Sequence, residues 1–279
     1  MGPTDGRIAW WLWPTILSID APVVTGLWQR LLARVAGIRL DWEHGFVLAV
    51  SVWLAYAADR WIEGWRLRPQ QIRTQRHRFY QRHRWPIAVF WLLAFAADVT
   101  IAWGWLETRE FVAGLLLLGP VAAYLLSHQL VHRAHPWRAP KEVVIAGLLA
   151  AGSALFVIVQ PHAPAVWWAI GLFTLLCFAN CALIAAWERD VDASHGQTSF
   201  ALQFGDGARF ARFLPPIIAV AALALRFTNP LIAPAAVTCT FISATLLGVV
   251  DRAEPALGRQ RARVLADVAL MTPLLALLP

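Results

Sequence analysis

The chain predicts an all-α fold, a polytopic transmembrane helical bundle, on three observations. Of its 279 residues 59% are hydrophobic and only 15% charged, with a mean hydropathy of +0.55, far from the balance of a soluble domain. Apolar runs of about 20 residues, the length that crosses a bilayer, recur between short polar stretches. These runs are continuous and apolar all round, whereas a spanning β-barrel would need short alternating segments.

Nine spans are expected, at 18–37, 44–62, 86–105, 110–128, 142–160, 165–187, 209–226, 230–250 and 263–278. Met1 is followed by a short polar stretch and then Trp-rich sequence without a small-residue cleavage pattern, so the first segment is expected to stay. The longest polar stretches are too short to fold alone, which makes residues 1–279 a single integral-membrane domain.

Net charge is +7, and its placement says more than its size. Arg residues gather after the second span (Arg66 to Arg84), the fourth (Arg133, Arg138, with Lys141), the sixth (Arg189, Arg209, Arg212) and the eighth (Arg252 to Arg263). Positive loops stay cytoplasmic, so these four are expected on the cytoplasmic face, in a bacterial inner membrane, with the C-terminus outside. Cations divided among membrane-flanking loops suit interfacial anchoring or capture of an anionic substrate, and nucleic acid is not an expected partner. Cys177, Cys181 and Cys239 fall inside spans and read as small core residues.

Charged groups at the membrane boundary are costly and mark function. "AYAADRWIEG" ends the second span with Asp59 and Glu63 four residues apart, on one helical face. "WERDVDASHGQTSFALQFG" repeats the spacing with Glu188 and Asp192 at the end of the sixth span, and Asp190 looks elsewhere. Two like charges so placed repel one another unless a counter-charge joins them. Magnesium, held by one or two carboxylates with phosphate oxygens completing its shell, removes the conflict. Asp59, Glu63, Glu188 and Asp192 are therefore the candidate metal ligands. The bland counterpart is a solvated ion pair beside Arg60 or Arg189.

These residues resemble the UbiA-type intramembrane prenyltransferase superfamily, which carries acidic motifs at the ends of the second and sixth of about nine helices. Glu188-x-x-x-Asp192 with Gly196, Thr198 and Gly205 looks like the second motif. Asp59-x-x-x-Glu63 looks like the closing half of the first, whose opening Asn-Asp pair is replaced by Ala55 and Tyr56, so the first motif is incomplete. Lys141, the single lysine of the chain, stands where the family has a diphosphate-contacting Lys.

The resemblance implies a central apolar cavity open to the cytoplasmic side and Mg2+-assisted ionisation of an isoprenyl diphosphate. The prenyl group then passes to a lipophilic, aromatic-type acceptor. Alternatively, a terpene cyclase of the same fold closes the carbocation on itself. Catalytic candidates are Asp59, Glu63, Glu188, Asp192 and Lys141. Tyr56, Arg76, Arg78, Arg133, Asp190, Asn180 and Thr198 are candidates for substrate binding; Trp53, Trp61 and Trp187 could line the prenyl channel, though packing or an interfacial belt is the commoner role of a Trp at a membrane boundary.

Two rival classes remain. "HQLVHRAH" (128–135) and "HRFYQRH" (77–83) could serve a membrane iron oxidase, though no adjacent His pair exists. Intramembrane carboxylates also serve transporters, whose sites sit nearer the bilayer midplane than these helix ends.

Overall fold

The computed structural model describes residues 8–66, 74–127, 140–194 and 199–277. Among these the chain is helical and turn, with no strand. After a 3-10 turn at Trp10–Leu12 come α1 (Trp13–Ile16), α2 (Asp20–Ala36), α3 (Trp42–Arg66), α4 (Gln75–Arg82), α5 (Arg84–Trp105), α6 (Thr108–Leu126) and α7 (Lys141–Ile158). Then follow α8 (Ala165–Trp187), α9 (Arg189–Ser194), α10 (Phe200–Gln203), α11 (Gly207–Thr228), α12 (Pro234–Leu257), α13 (Arg259–Ala269) and α14 (Pro273–Leu277).

Seven of the described helices, α3, α5, α6, α7, α8, α11 and α12, are long and apolar enough to cross a membrane, against nine expected. The first and last expected spans are helical but fall short. α2 has 17 residues and carries Gln29, Arg30 and Arg34. The last expected span coincides with α13, which bears Arg259, Arg261, Arg263 and Asp267 and ends at Ala269, and with the five-residue α14 beyond the break.

Both short elements nonetheless sit within the bundle. α8 packs against α7, α11, α12 and α2, and α2 is also flanked by α3 and α7. Ala146, Ala150, Ala179 and Ala182 keep these contacts close, since small side chains let helix backbones approach. Trp28 of α2 is fully buried, stacks on Phe173 at 4.4 Å and donates from Nε1 to the Leu270 carbonyl at 2.9 Å. It thereby ties the first segment to the last. Trp28→Ala should cost about 3–5 kcal/mol through the cavity and the orphaned carbonyl, read as a lowered melting temperature in detergent.

α5 and α6 lie at the edge, where Val89, Phe90, Leu92, Leu93 and Leu116 face outward. In a bilayer this is the surface that lipid covers. Polar ties fix these outer helices. Ser51 donates to Asp98 Oδ2 at 2.7 Å between α3 and α5, and His44 Nε2 lies 3.2 Å from Glu110 Oε1, which also accepts from Gln160 at 3.1 Å.

Behind the second acidic motif, the glycine that matters sterically is Gly207 and not Gly205. A Cβ on Gly207 would lie 2.5 Å from the Phe200 carbonyl, whereas one on Gly205 meets nothing. The turn from α10 into α11 closes only on hydrogen.

Candidate functional site

The C-terminal ends of α3, α6 and α8 and the N-terminal ends of α2 and α7 meet at one end of the bundle, joined by α4 and α13. Together they line a cavity of about 170 Å³. Its apolar wall includes Val24, Ile145, Leu149, Ile184 and Leu270, and its polar wall includes Asp59, Glu63, Arg76, Lys141, Glu188 and Asp192.

Tyr56, Asp59 and Glu63 recur at three- and four-residue spacing on α3 and all reach the cavity. Glu63 is buried and its Oε2 lies 2.6 Å from Nε2 of His77, whose Nδ1 is 2.6 Å from the Thr74 hydroxyl. α8 stops at Trp187, Glu188 is the hinge residue, and α9 resumes with the Asp192 amide bonded to the Glu188 carbonyl at 2.9 Å. That one retained turn keeps Glu188 and Asp192 on the same side.

Two guanidinium groups converge on one oxygen of Glu188: Arg263 donates to Oε2 at 2.8 Å and Arg76 at 3.2 Å. Burial pushes the Glu188 carboxyl up, but Arg263 and Arg76 outweigh burial and hold it well below the usual carboxylate range. Burial and the like charge of Arg263 pull the Arg76 guanidinium down from its ordinary value. Both arginines keep a buried Nε without a hydrogen-bond partner. Here two guanidinium groups share one carboxylate oxygen, and their unmet donors suit an incoming anion. Lys141 adds a third cation, 3.1 Å from Asp192 Oδ1.

Among the described residues no group of three or more His, Cys, Asp or Glu side chains is placed to hold one metal ion. The carboxylates stand instead around the cavity, with Glu63, Glu188 and Asp192 each beside a basic side chain. All are hard oxygen donors. That arrangement fits an ion which takes one or two carboxylates and completes its shell with phosphate oxygens, as magnesium does.

Other expected positions are elsewhere. Arg78 is exposed and does not line the cavity, because two residues along α4 turn it about 200° from Arg76. Asp190 is also absent from the cavity wall and pairs with Arg259 at the surface. Arg133, Thr198, Gly196 and the histidines at 128, 132 and 135 lie outside the described residues. Trp53, Trp61 and Trp187 do not line the channel either. Their indoles donate to the Leu17 carbonyl, the Arg84 carbonyl and Asp251, and so serve packing.

The cavity also contains residues that the local sequence pattern did not single out, Asp20, Tyr124, Glu142, Arg263 and Asp267, together with His77, which the sequence offered only to the iron-oxidase reading. A clue existed for Asp20 and Asp267, since each is an acid within or beside an apolar run. Arg60 is buried and spent on structure, donating to the Thr15 carbonyl and, at 2.7 Å, to the Ser18 hydroxyl.

Comparison with family models and with curated proteins finds no match for the chain. Among solved structures it is similar to the apo structure of a UbiA homolog from Aeropyrum pernix K1. The TM-score is 0.59 at 15% sequence identity, and the match covers 92% of this chain and 98% of that one. The helical membrane bundle described above therefore has the UbiA-type fold.

Proposed function

We propose that the protein is an intramembrane prenyltransferase that binds an isoprenyl diphosphate and transfers its prenyl group to a lipophilic acceptor. The observation that carries this reading is the cationic set Arg76, Arg263 and Lys141, gathered with acidic side chains from α3, Glu188 and α9 in a cavity that also has an apolar wall. A diphosphate suits the charged end, and a hydrocarbon tail suits Val24, Ile145, Leu149 and Ile184.

In the reaction the C1–O bond breaks and its electron pair leaves with pyrophosphate. The acceptor's electron pair then forms the new bond to C1, and the acceptor loses a proton. Arg76, Arg263 and Lys141 stabilise the charge that grows on the leaving group, as preorganised donors do. Asp59, Glu63, Glu188 and Asp192 would hold magnesium, which supplies Lewis-acid neutralisation of the diphosphate when bound. His77 holds Glu63 in place through their contact. The apolar wall keeps water from the allylic carbon.

Terpene cyclisation is the second reading, favoured by Tyr56 and Tyr124, which put two aromatic rings on the cavity wall where a carbocation could be faced. Purified protein in detergent with magnesium and prenyl diphosphates of several lengths separates the two. Pyrophosphate release that requires an added lipophilic acceptor supports transfer, and acceptor-independent hydrocarbon or alcohol products support cyclisation. If no donor is consumed and Asp59→Asn leaves diphosphate binding unchanged, both readings fail.

A further inference from the structure

A second polar group on the cavity wall comes from α2, α13 and the middle of α8. Asp20 opens α2, Asp267 lies on α13, and the two carboxyls are within hydrogen-bonding reach of one another. Asn180, from the middle of α8, donates from Nδ2 to Asp267 Oδ1 at 3.0 Å. An amide beside a carboxylate must offer its N–H, which fixes the direction of the Asn180 oxygen. That oxygen is buried without a hydrogen-bond partner, on a residue only 8% exposed that lines the cavity. A buried acceptor left unmet costs about 1–3 kcal/mol, so a site that keeps one is suited to a ligand that donates to it.

The geometry points to Asp20, Asp267 and Asn180 as a subsite for the hydroxyl group of a neutral lipophilic acceptor. This rests on the prenyl-transfer reading above and names the acceptor class it left open. The Asn180 oxygen receives the hydroxyl proton's hydrogen bond. Two carboxyl groups so close can hold a single proton between them and have room for another, so the pair is placed to take the proton that the acceptor sheds. The balance is complete. The acceptor O–H, seated on Asn180, turns to the carboxyl pair and gives up its proton there, the oxygen's electron pair bonds to C1, and the C1–O electron pair departs with pyrophosphate. Two carboxyls and an amide oxygen offer nothing to an anion, while Arg263, the nearest strong cation, is engaged by Glu188. The subsite is therefore selective by charge: it admits a hydroxyl and repels a carboxylate.

Binding of 2-naphthol and 2-naphthoate to the purified full-length protein in detergent, followed by naphthalene fluorescence, tests this without requiring turnover. Wild type should bind 2-naphthol at least about tenfold more tightly than 2-naphthoate, a difference of about 1.4 kcal/mol. Asn180→Leu should weaken 2-naphthol by about tenfold, and Asp20→Asn with Asp267→Asn should raise affinity for 2-naphthoate. Equal binding of the two probes, absence of 2-naphthol binding to wild type, or indifference to Asn180→Leu in a variant that keeps its melting temperature overturns the subsite. Pyrophosphate binding, measured on the same samples, should be unaffected by Asn180→Leu. If pyrophosphate fails to bind wild type while 2-naphthol binds as described, the transfer reading falls and the subsite stands.

Discussion

Glu188→Gln should lower prenyl-diphosphate turnover by about 100- to 1,000-fold and at the same time tighten the grip on metal-free pyrophosphate. The two effects have one origin. Glu188 Oε2 neutralises both Arg76 and Arg263 in the resting site, so its removal frees two buried guanidinium groups to bind an anion. The same removal deprives the site of a carboxylate that would carry the metal. With no anion present, two buried like charges lose the carboxylate they share, and the variant should lose about 3 kcal/mol of stability. Pyrophosphate should restore much of that loss, because a ligand that binds only the folded state stabilises it by mass action. Melting temperature in detergent, with and without pyrophosphate and magnesium, together with product formation, gives all three readings. Wild-type turnover in Glu188→Gln would remove this carboxylate from the site.

Arg263→Gln should cost about 100-fold in kcat/KM for the diphosphate donor, roughly 2.7 kcal/mol of lost charge stabilisation. A neighbour on the same helix supplies the control. Arg259 forms its ion pair with exposed Asp190, away from the cavity wall, and exposed pairs contribute little. Arg259→Gln should therefore leave donor kinetics within about twofold of wild type. Equal losses in the two variants would indicate a general electrostatic effect of α13 and not a contact with the leaving group. Steady-state assays across a range of donor concentrations decide between these outcomes.

Part of this site was legible because helical periodicity is local. Asp59 and Glu63, or Glu188 and Asp192, are four residues apart, and a helix places such residues on one side whatever surrounds it. The same geometry turns Asp190 away, as the structure bears out. Lys141 stood out by rarity and by its position at a helix start. Arg263 escaped because its significance is a meeting with Glu188, 75 residues away, where Arg76, already a substrate-binding candidate, also arrives. Only the packed helices create that proximity. Asp20 and Asp267 belong to the same class, 247 positions apart by their numbering and joined only where α2 and α13 cross. The tryptophans took packing, the commoner of their two expected roles. An indole carries an N–H that must find an acceptor when buried, and Trp53, Trp61 and Trp187 each find one outside the cavity. The first and last expected spans, α2 and α13 with α14, are helical but shorter and more charged than the seven described helices that are apolar enough to cross a membrane.

That last point bears on how the protein reaches its membrane. α2 is short and studded with polar groups, yet Trp28, Leu31 and Leu32 are fully buried and Gln29 nearly so, bonding across to the His44 carbonyl. A segment of this kind gives the insertion machinery a weak signal as it leaves the ribosome. Its partners, α7 and α8 among them, are synthesised more than 100 residues later. The N-terminal helix is thus a late-settling piece of an early-made chain. The end of the cavity that holds Asp20 is finished only when the C-terminal helix α13 has arrived.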